Sequence, residues 1–179
     1  MAFAERYNHA LVGNLQDDEH HNATSVLSAS ALADRSARDI GALLHRVKYA
    51  SAAKQAFESG NHELATLCKA WLAIVTDKGS ARKWVKSEDV SIAPILYRRV
   101  ADASLAYYLD STCKECSGTG TQGAAGCYKT CLTCKGSKRA ELPAMRAYEK
   151  HRVLEMVDEL TALEHTHAGV ASVKLRREV

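Results

Sequence analysis

Proline is nearly missing from this 179-residue chain, which has only Pro94 and Pro143. Aromatic residues are also scarce, at 6% of the whole. With few helix breakers and abundant alanine, the chain is expected to be mainly α-helical. No apolar run reaches the roughly 18 residues that a membrane-spanning helix needs, so no membrane partner is expected. No basic segment followed by an apolar stretch opens the chain, so a secretory signal is not expected either. Charge of one sign is lacking too. The net charge is +3, which alone does not argue for nucleic acid.

What the chain does have is a concentration of cysteine. Cys113-Lys-Glu-Cys116-Ser-Gly118-Thr-Gly120 is followed by Cys131-Leu-Thr-Cys134-Lys-Gly136. Two CxxC pairs separated by fourteen residues, Ser117 to Thr130, have the layout of a site in which two knuckles grip one tetrahedral metal. Cys113, Cys116, Cys131 and Cys134 are therefore the expected ligands of one structural Zn²⁺. The glycines suit the tight turns by which the chain leaves each knuckle. Buried thiols, a disulfide pair or a redox CxxC are the alternative readings, and Cys127 could exchange with a ligand. Cys68, on an apolar helical face, reads as a buried thiol. Closely spaced reduced cysteines suit a cytosol. A four-thiolate site leaves no open coordination position for Lewis-acid chemistry. The chain also shows no nucleophile–base arrangement, phosphate loop or paired carboxylates, so it is not expected to be an enzyme.

The rest of the chain reads as four regions. Residues 1–35 are weakly patterned, and His20 and His21 lie in an acidic stretch that reads as solvated loop. Residues 36–110 form a helical body. There a helix over 37–58 follows a capping-box-like Ser36 and Asp39, with Ile40, Leu43, Leu44 and Val47 on one face. A second helix over 62–76 carries Leu64, Leu67, Cys68, Trp71, Leu72 and Val75, and Lys78-Gly79-Ser80 ends it. Arg82-Lys83-Trp84-Val85-Lys86 reads either as a solvated face with Trp84 turned inward or as a phosphate-contacting patch. Pro94 suits the first turn of a helix over 93–110 with Leu96, Val100, Ala103 and Tyr107 inward. Residues 111–140 form the zinc module. Residues 141–179 supply a C-terminal helix, over 143–164, and a tail, both packing on the helical body. Gly169 is expected to interrupt that helix, leaving residues 173–177 as a last turn.

The expected fold is thus a helical bundle with a helix–turn–helix-like pair interrupted by the four-cysteine module. Charge is unevenly spread. Residues 111–140 hold five basic side chains and one acidic. The last helix has Arg146, Lys150 and Arg152 in its first half and Glu155, Asp158, Glu159 and Glu164 in its second, against the helix dipole. A basic N-terminal half is explained if it faces DNA phosphate. Charge and helix face together make Arg98, Arg99, Lys138, Arg139, Arg146 and Lys150 the candidate DNA contacts.

The module resembles half of the cysteine-rich domain of the DnaJ chaperones, which has four CxxCxGxG repeats. Here there are two, Lys138 stands where the last glycine of the second would be, and no His-Pro-Asp motif is present. The module is more similar to that of the lambda-type late-gene antitermination protein Q family. In that family an alanine- and tyrosine-rich helix precedes the cysteines, as Ala101 to Leu109 does here. A Pro-Ala-x-x-Ala-Tyr segment follows them, here Pro143-Ala144-Met145-Arg146-Ala147-Tyr148. The resemblance spans residues 95–150, and this chain departs from it in its short spacer and in Cys127. It implies a transcription antitermination factor in the cytoplasm of a bacterial host. The expected partners are double-stranded DNA and bacterial RNA polymerase holoenzyme with its sigma factor. The other readings are a zinc-containing DNA-binding regulator that does not engage polymerase, and a DnaJ-like protein-interaction module.

Overall fold

The structure, a computed structural model, describes residues 3–11, 23–33, 40–50, 62–123 and 128–177. His20, His21, Ser36, Asp39 and Cys127 lie outside the described residues. The helices are α1 (Phe3–Leu11), α2 (Ala23–Ala31), α3 (Gly41–Ala50), α4 (His62–Ala81), α5 (Ala93–Leu109) and α6 (Ala147–Arg177). A 3-10 turn covers Ser87–Ile92, and a short antiparallel ribbon pairs β1 (Thr121–Gln122) with β2 (Lys129–Thr130). The chain is mainly α, as its composition implied.

Helix α5 is the centre of the main core. Leu96, Tyr97, Val100, Ala101, Ser104 and Leu105 are all buried. Ala103 and Tyr107, expected inward, are only partly buried, and Tyr97, Ala101, Ser104 and Leu105 are buried in addition to Leu96 and Val100, because α5 packs on α4 along one side and on α6 along the other. The shared core contains Leu67, Trp71 and Val75 from α4 and Val153, Met156 and Leu160 from α6. Even the Trp71 indole N–H has a partner, the Ser104 Oγ at 3.0 Å. Cys68 is half-buried against this core rather than fully enclosed.

Gly79 does not end α4 as its flanking residues suggested. It is buried inside the helix, where a Cβ would lie 2.5 Å from the Tyr97 ring and 2.9 Å from the Trp84 ring. Its missing side chain lets two aromatic residues close over the helix. Termination comes later, at Lys83, whose φ is 51°. The Lys83 N–H donates to the Ser80 carbonyl and the Trp84 N–H to the Gly79 carbonyl, the paired bonds of a Schellman turn. Trp84 is thereby tucked inward.

Helix α6 differs most from expectation. It begins at Ala147, four residues after Pro143, and continues through Gly169 to Arg177. Nothing approaches the Cβ position of Gly169 within 4 Å. A mid-helix glycine costs about 1 kcal/mol relative to alanine. Burial of Ala171 and Leu175 beyond it outweighs that cost. They join Phe3, Tyr7, Ala10, Val26, Ala29 and Ala33 in a second cluster. The N-terminal segment, weakly patterned in sequence, thus contains two helices that clasp the end of α6.

Between the two clusters, Gly41 sits against His167 so closely that a Cβ would lie 2.3 Å from its Nδ1. His167 Nε2 is 3.1 Å from Ser30 Oγ. His45 is buried edge-on to both Tyr7 and His167. Nearby, Lys48 of α3 donates to Glu164 of α6 at 2.7 Å and to the Tyr108 hydroxyl of α5 at 3.1 Å.

Cross-contacts set the helix directions. Arg99 meets Glu149, and further along both helices Tyr108 meets Glu164. Helices α5 and α6 therefore run parallel, side by side. Trp71 reaching Ser104 while Gly79 packs on Tyr97 makes α4 antiparallel to them. The helix–turn–helix-like pairing expected from the sequence is not confirmed by this arrangement. After the cysteine module the chain must return along α5 before α6 begins. Seven residues, 140–146, span up to about 25 Å when extended. Arg99 to Leu109 is only about 15 Å of helix, so the return is easily made.

Candidate metal centre

The module is built from two copies of one local design, offset by eighteen residues. Thr112-Cys113-x-x-Cys116-Ser117-Gly118-Thr119-Gly120 corresponds to Thr130-Cys131-x-x-Cys134-Lys135-Gly136-Ser137-Lys138. The backbone repeats with it. Ser117, Gly118 and Gly120 have φ of 48°, 77° and 81°, and Lys135, Gly136 and Lys138 have 50°, 84° and 66°. Lys138 thus adopts the left-handed conformation of its glycine counterpart.

The two copies are cross-linked reciprocally. The Cys131 N–H donates to the Gly120 carbonyl at 2.9 Å, and the Cys113 N–H to the Lys138 carbonyl at 3.0 Å. Thr121 pairs with Thr130, and Arg139 pairs with Thr112. Gly118 faces the Thr112 methyl, and Gly136 faces the Thr130 methyl. A pseudo-two-fold axis therefore passes between the four cysteines.

All four cysteines are buried and free, and their sulfurs lie within 4.8 Å of one another. Cys113 Sγ is 4.0 Å from Cys131 Sγ, and Cys116 Sγ is 3.7 Å from Cys134 Sγ. A disulfide needs about 2.05 Å, so none is formed here. A tetrahedral ion with metal–sulfur bonds near 2.3 Å spaces its ligands about 3.8 Å apart. The Cys113–Cys131 and Cys116–Cys134 sulfur pairs hold that spacing, the cluster as a whole lies within 4.8 Å, and such a site is compatible with zinc.

The electrostatics point the same way. Burial opposes a thiolate at Cys116, but the Gly120 N–H, 3.3 Å from its sulfur, and the neighbouring thiols bring it down to about 6. At Cys113 the Cys116 N–H favours the thiolate, yet burial and the competing thiols push the group up to about 11. The protein scaffold stabilises one thiolate and resists the next. A divalent cation at the centre lets all four ionise together.

No protein-family model, curated protein or solved structure matches this chain.

The six candidate DNA contacts differ in their surroundings. Arg99 is committed to Glu149 through a fork, with contacts of 3.1 and 2.9 Å. Arg98 is exposed and only 3.7 Å from Asp102, a pair that contributes little in water. Lys138 and Arg139 are exposed where the chain leaves the module. Arg146 and Lys150 are exposed at the start of α6, where the Arg146 carbonyl accepts the Lys150 N–H at 2.9 Å. Among the described residues none of these last four has a carboxylate partner.

Because α6 extends to Arg177, its acidic residues lie in the middle rather than at its end. Glu155 and Glu159 there face Lys78 of α4 and Arg82 just beyond its end. Arg152 packs its guanidinium over the Trp84 and Tyr148 rings and bonds Glu155 at 2.8 Å. The segment around Trp84 is thus stapled to α6. Sequence reasoning missed Glu149 as the partner of Arg99. Its one signal was an acidic residue in the otherwise basic opening of that helix.

Proposed function

We propose that this chain is a zinc-pinned, DNA-binding transcription antitermination factor of the lambda Q type. In this reading Cys113, Cys116, Cys131 and Cys134 hold one structural Zn²⁺. Lys138, Arg139, Arg146 and Lys150 contact DNA phosphate, and Arg98 assists. Arg99 has a positioning role, holding α5 to the start of α6. The partners are promoter DNA and bacterial RNA polymerase holoenzyme, and the outcome is readthrough of terminators in a bacterial cytoplasm.

The observation that carries this reading is the placement of four unpaired cations at the two ends of the link between the thiol cluster and α6. Cations engaged in ion pairs between helices serve the fold, as Arg82 and Lys78 do with Glu155 and Glu159. Cations left in solvent on both sides of a pinned segment are available to a polyanion. The resemblance of residues 95–150 to the antitermination family supplies the polymerase.

The test is terminator readthrough by purified polymerase, with duplex binding measured at low and high salt. Full-length protein is expected to bind duplex in a salt-sensitive way and to raise readthrough. Cys116→Ser is expected to release zinc and abolish both effects. Absence of salt-sensitive binding at micromolar protein would sink the DNA reading. Binding without readthrough would favour a regulator that does not engage polymerase.

A further inference from the structure

The internal repeat supplies its own control for the module's surface. The first knuckle, residues 110–122, carries Asp110, Lys114 and Glu115. The second, residues 128–140, carries Lys129, Lys135, Lys138 and Arg139 and no acid. Asp110 and Lys114 correspond to Tyr128 and Leu132, eighteen residues on. Asp110 and Lys114 touch, forming an ion pair. The equivalent positions in the second knuckle therefore share a face, and there Tyr128 is 67% and Leu132 85% exposed. Folding does not require apolar side chains at these places, since the first knuckle has the same backbone with charged ones.

We infer that Tyr128 and Leu132, flanked by Lys129 and Lys135, form a docking tip for a protein partner that offers an apolar pocket with an acidic rim. Leucine at this exposure is a poor match for phosphate, because protein–DNA interfaces are polar and strongly charged. An aliphatic and an aromatic anchor beside unpaired lysines is the make-up of a protein-interface core with a charged edge. Lys129 and Lys135 have no carboxylate partner among the described residues, so their charge is available to that edge. Resting on the proposed function, the partner is the polymerase holoenzyme. Labour is then divided: the second knuckle's tip holds protein, and the return link and the start of α6 hold DNA.

The internal repeat also suggests the variant. Tyr128→Asp with Leu132→Lys transplants the first knuckle's own ion-pairing residues into the second, so zinc content and helicity are expected to be unchanged. Full-length, zinc-loaded protein is measured against purified bacterial RNA polymerase holoenzyme and, separately, against duplex DNA. Polymerase affinity is expected to fall at least tenfold while DNA affinity stays within twofold. Leu132→Ala, a milder change, is expected to weaken polymerase binding about threefold to tenfold and decides the matter if the double variant loses zinc. Polymerase binding equal to wild type overturns the inference. So does an equal loss of DNA affinity, which would make the tip a DNA element, or conversion of a wild-type dimer to a monomer. If wild-type protein fails to bind polymerase at all, the proposed function falls and the choice of partner falls with it.

Discussion

The Cys113 N–H donates to the carbonyl of Lys138, while the matching Cys131 N–H donates to the carbonyl of Gly120. One backbone shape is thus held by glycine in one knuckle and by lysine in the other. A non-glycine residue in the left-handed region is strained by roughly 1–2 kcal/mol, partly offset by the stiffer unfolded chain. Lys138→Gly is therefore expected to stabilise the metal-loaded module by about 0.5–1 kcal/mol. Gly120→Ala should do the opposite by more than about 1 kcal/mol, because its Cβ would lie 3.1 Å from the Gly136 carbonyl oxygen at a φ of 81°. Resistance to zinc extraction by a chelator reads both.

Arg99 meets Glu149 at the start of α6, whereas Lys150, the next residue along, is exposed. Arg99→Ala leaves the buried Glu149 carboxylate without its fork and is expected to lower stability by about 1–2 kcal/mol. Lys150→Ala should leave stability within about 0.5 kcal/mol. It should weaken duplex binding for all sequences alike and reduce the salt slope by about 1. Urea unfolding and salt-titrated binding separate the two. A salt-slope change confined to Arg99→Ala would reverse the assignment.

Gly41→Ala tests the clasp between α3 and α6. The new methyl would overlap the His167 ring, which cannot swing away freely because it is buried and lies beside Ser30 Oγ. A loss of about 1–3 kcal/mol is expected from overpacking. The loss should shrink when Gly41→Ala is combined with His167→Ala, a coupling that a double-mutant cycle measures.

Stability should fall between pH 6.5 and about 4 because of His45. Burial, reinforced by the nearby His167, lowers His45 from 6.5 to about 4. Above pH 6.5 both folded and unfolded states hold the imidazole neutral, and its contribution is fully present. As pH falls the unfolded chain takes up a proton that the folded one refuses, and the loss is complete below about 4. The full effect is on the order of 3 kcal/mol. Most of the window above pH 5 lies clear of the carboxylates. His45→Phe keeps a ring against Tyr7 and should flatten the urea midpoint between pH 7 and 5. An unchanged slope would place the titration elsewhere.

Local rules brought out some elements almost intact. Helix α5 runs Ala93–Leu109, next to the span that Pro94 and the apolar spacing predict. The cysteine spacing and Gly118, Gly120 and Gly136 marked a pair of turns that brings four cysteines together, because a knuckle is specified by a few consecutive residues. The failures were of another kind. Gly79 and Gly169 read as breaks, yet one makes room for Tyr97 and Trp84 and the other is carried by the burial of Ala171 and Leu175. The same residue type means punctuation or close packing according to what lies opposite it.

By itself the sequence determined a mainly helical chain, the four cysteines that could hold a metal ion, and the duplicated turn that presents them. These depend on propensity and on spacing over a few residues. Only the tertiary structure decided that α5 and α6 run parallel and that Arg99 is committed to Glu149 while Lys138, Arg139, Arg146 and Lys150 have no carboxylate partner among the described residues. It also decided that the second knuckle's Leu132 stands in solvent. Which cation is available depends on which carboxylate a distant helix brings beside it. That pairing is set by long-range packing, which no local pattern encodes.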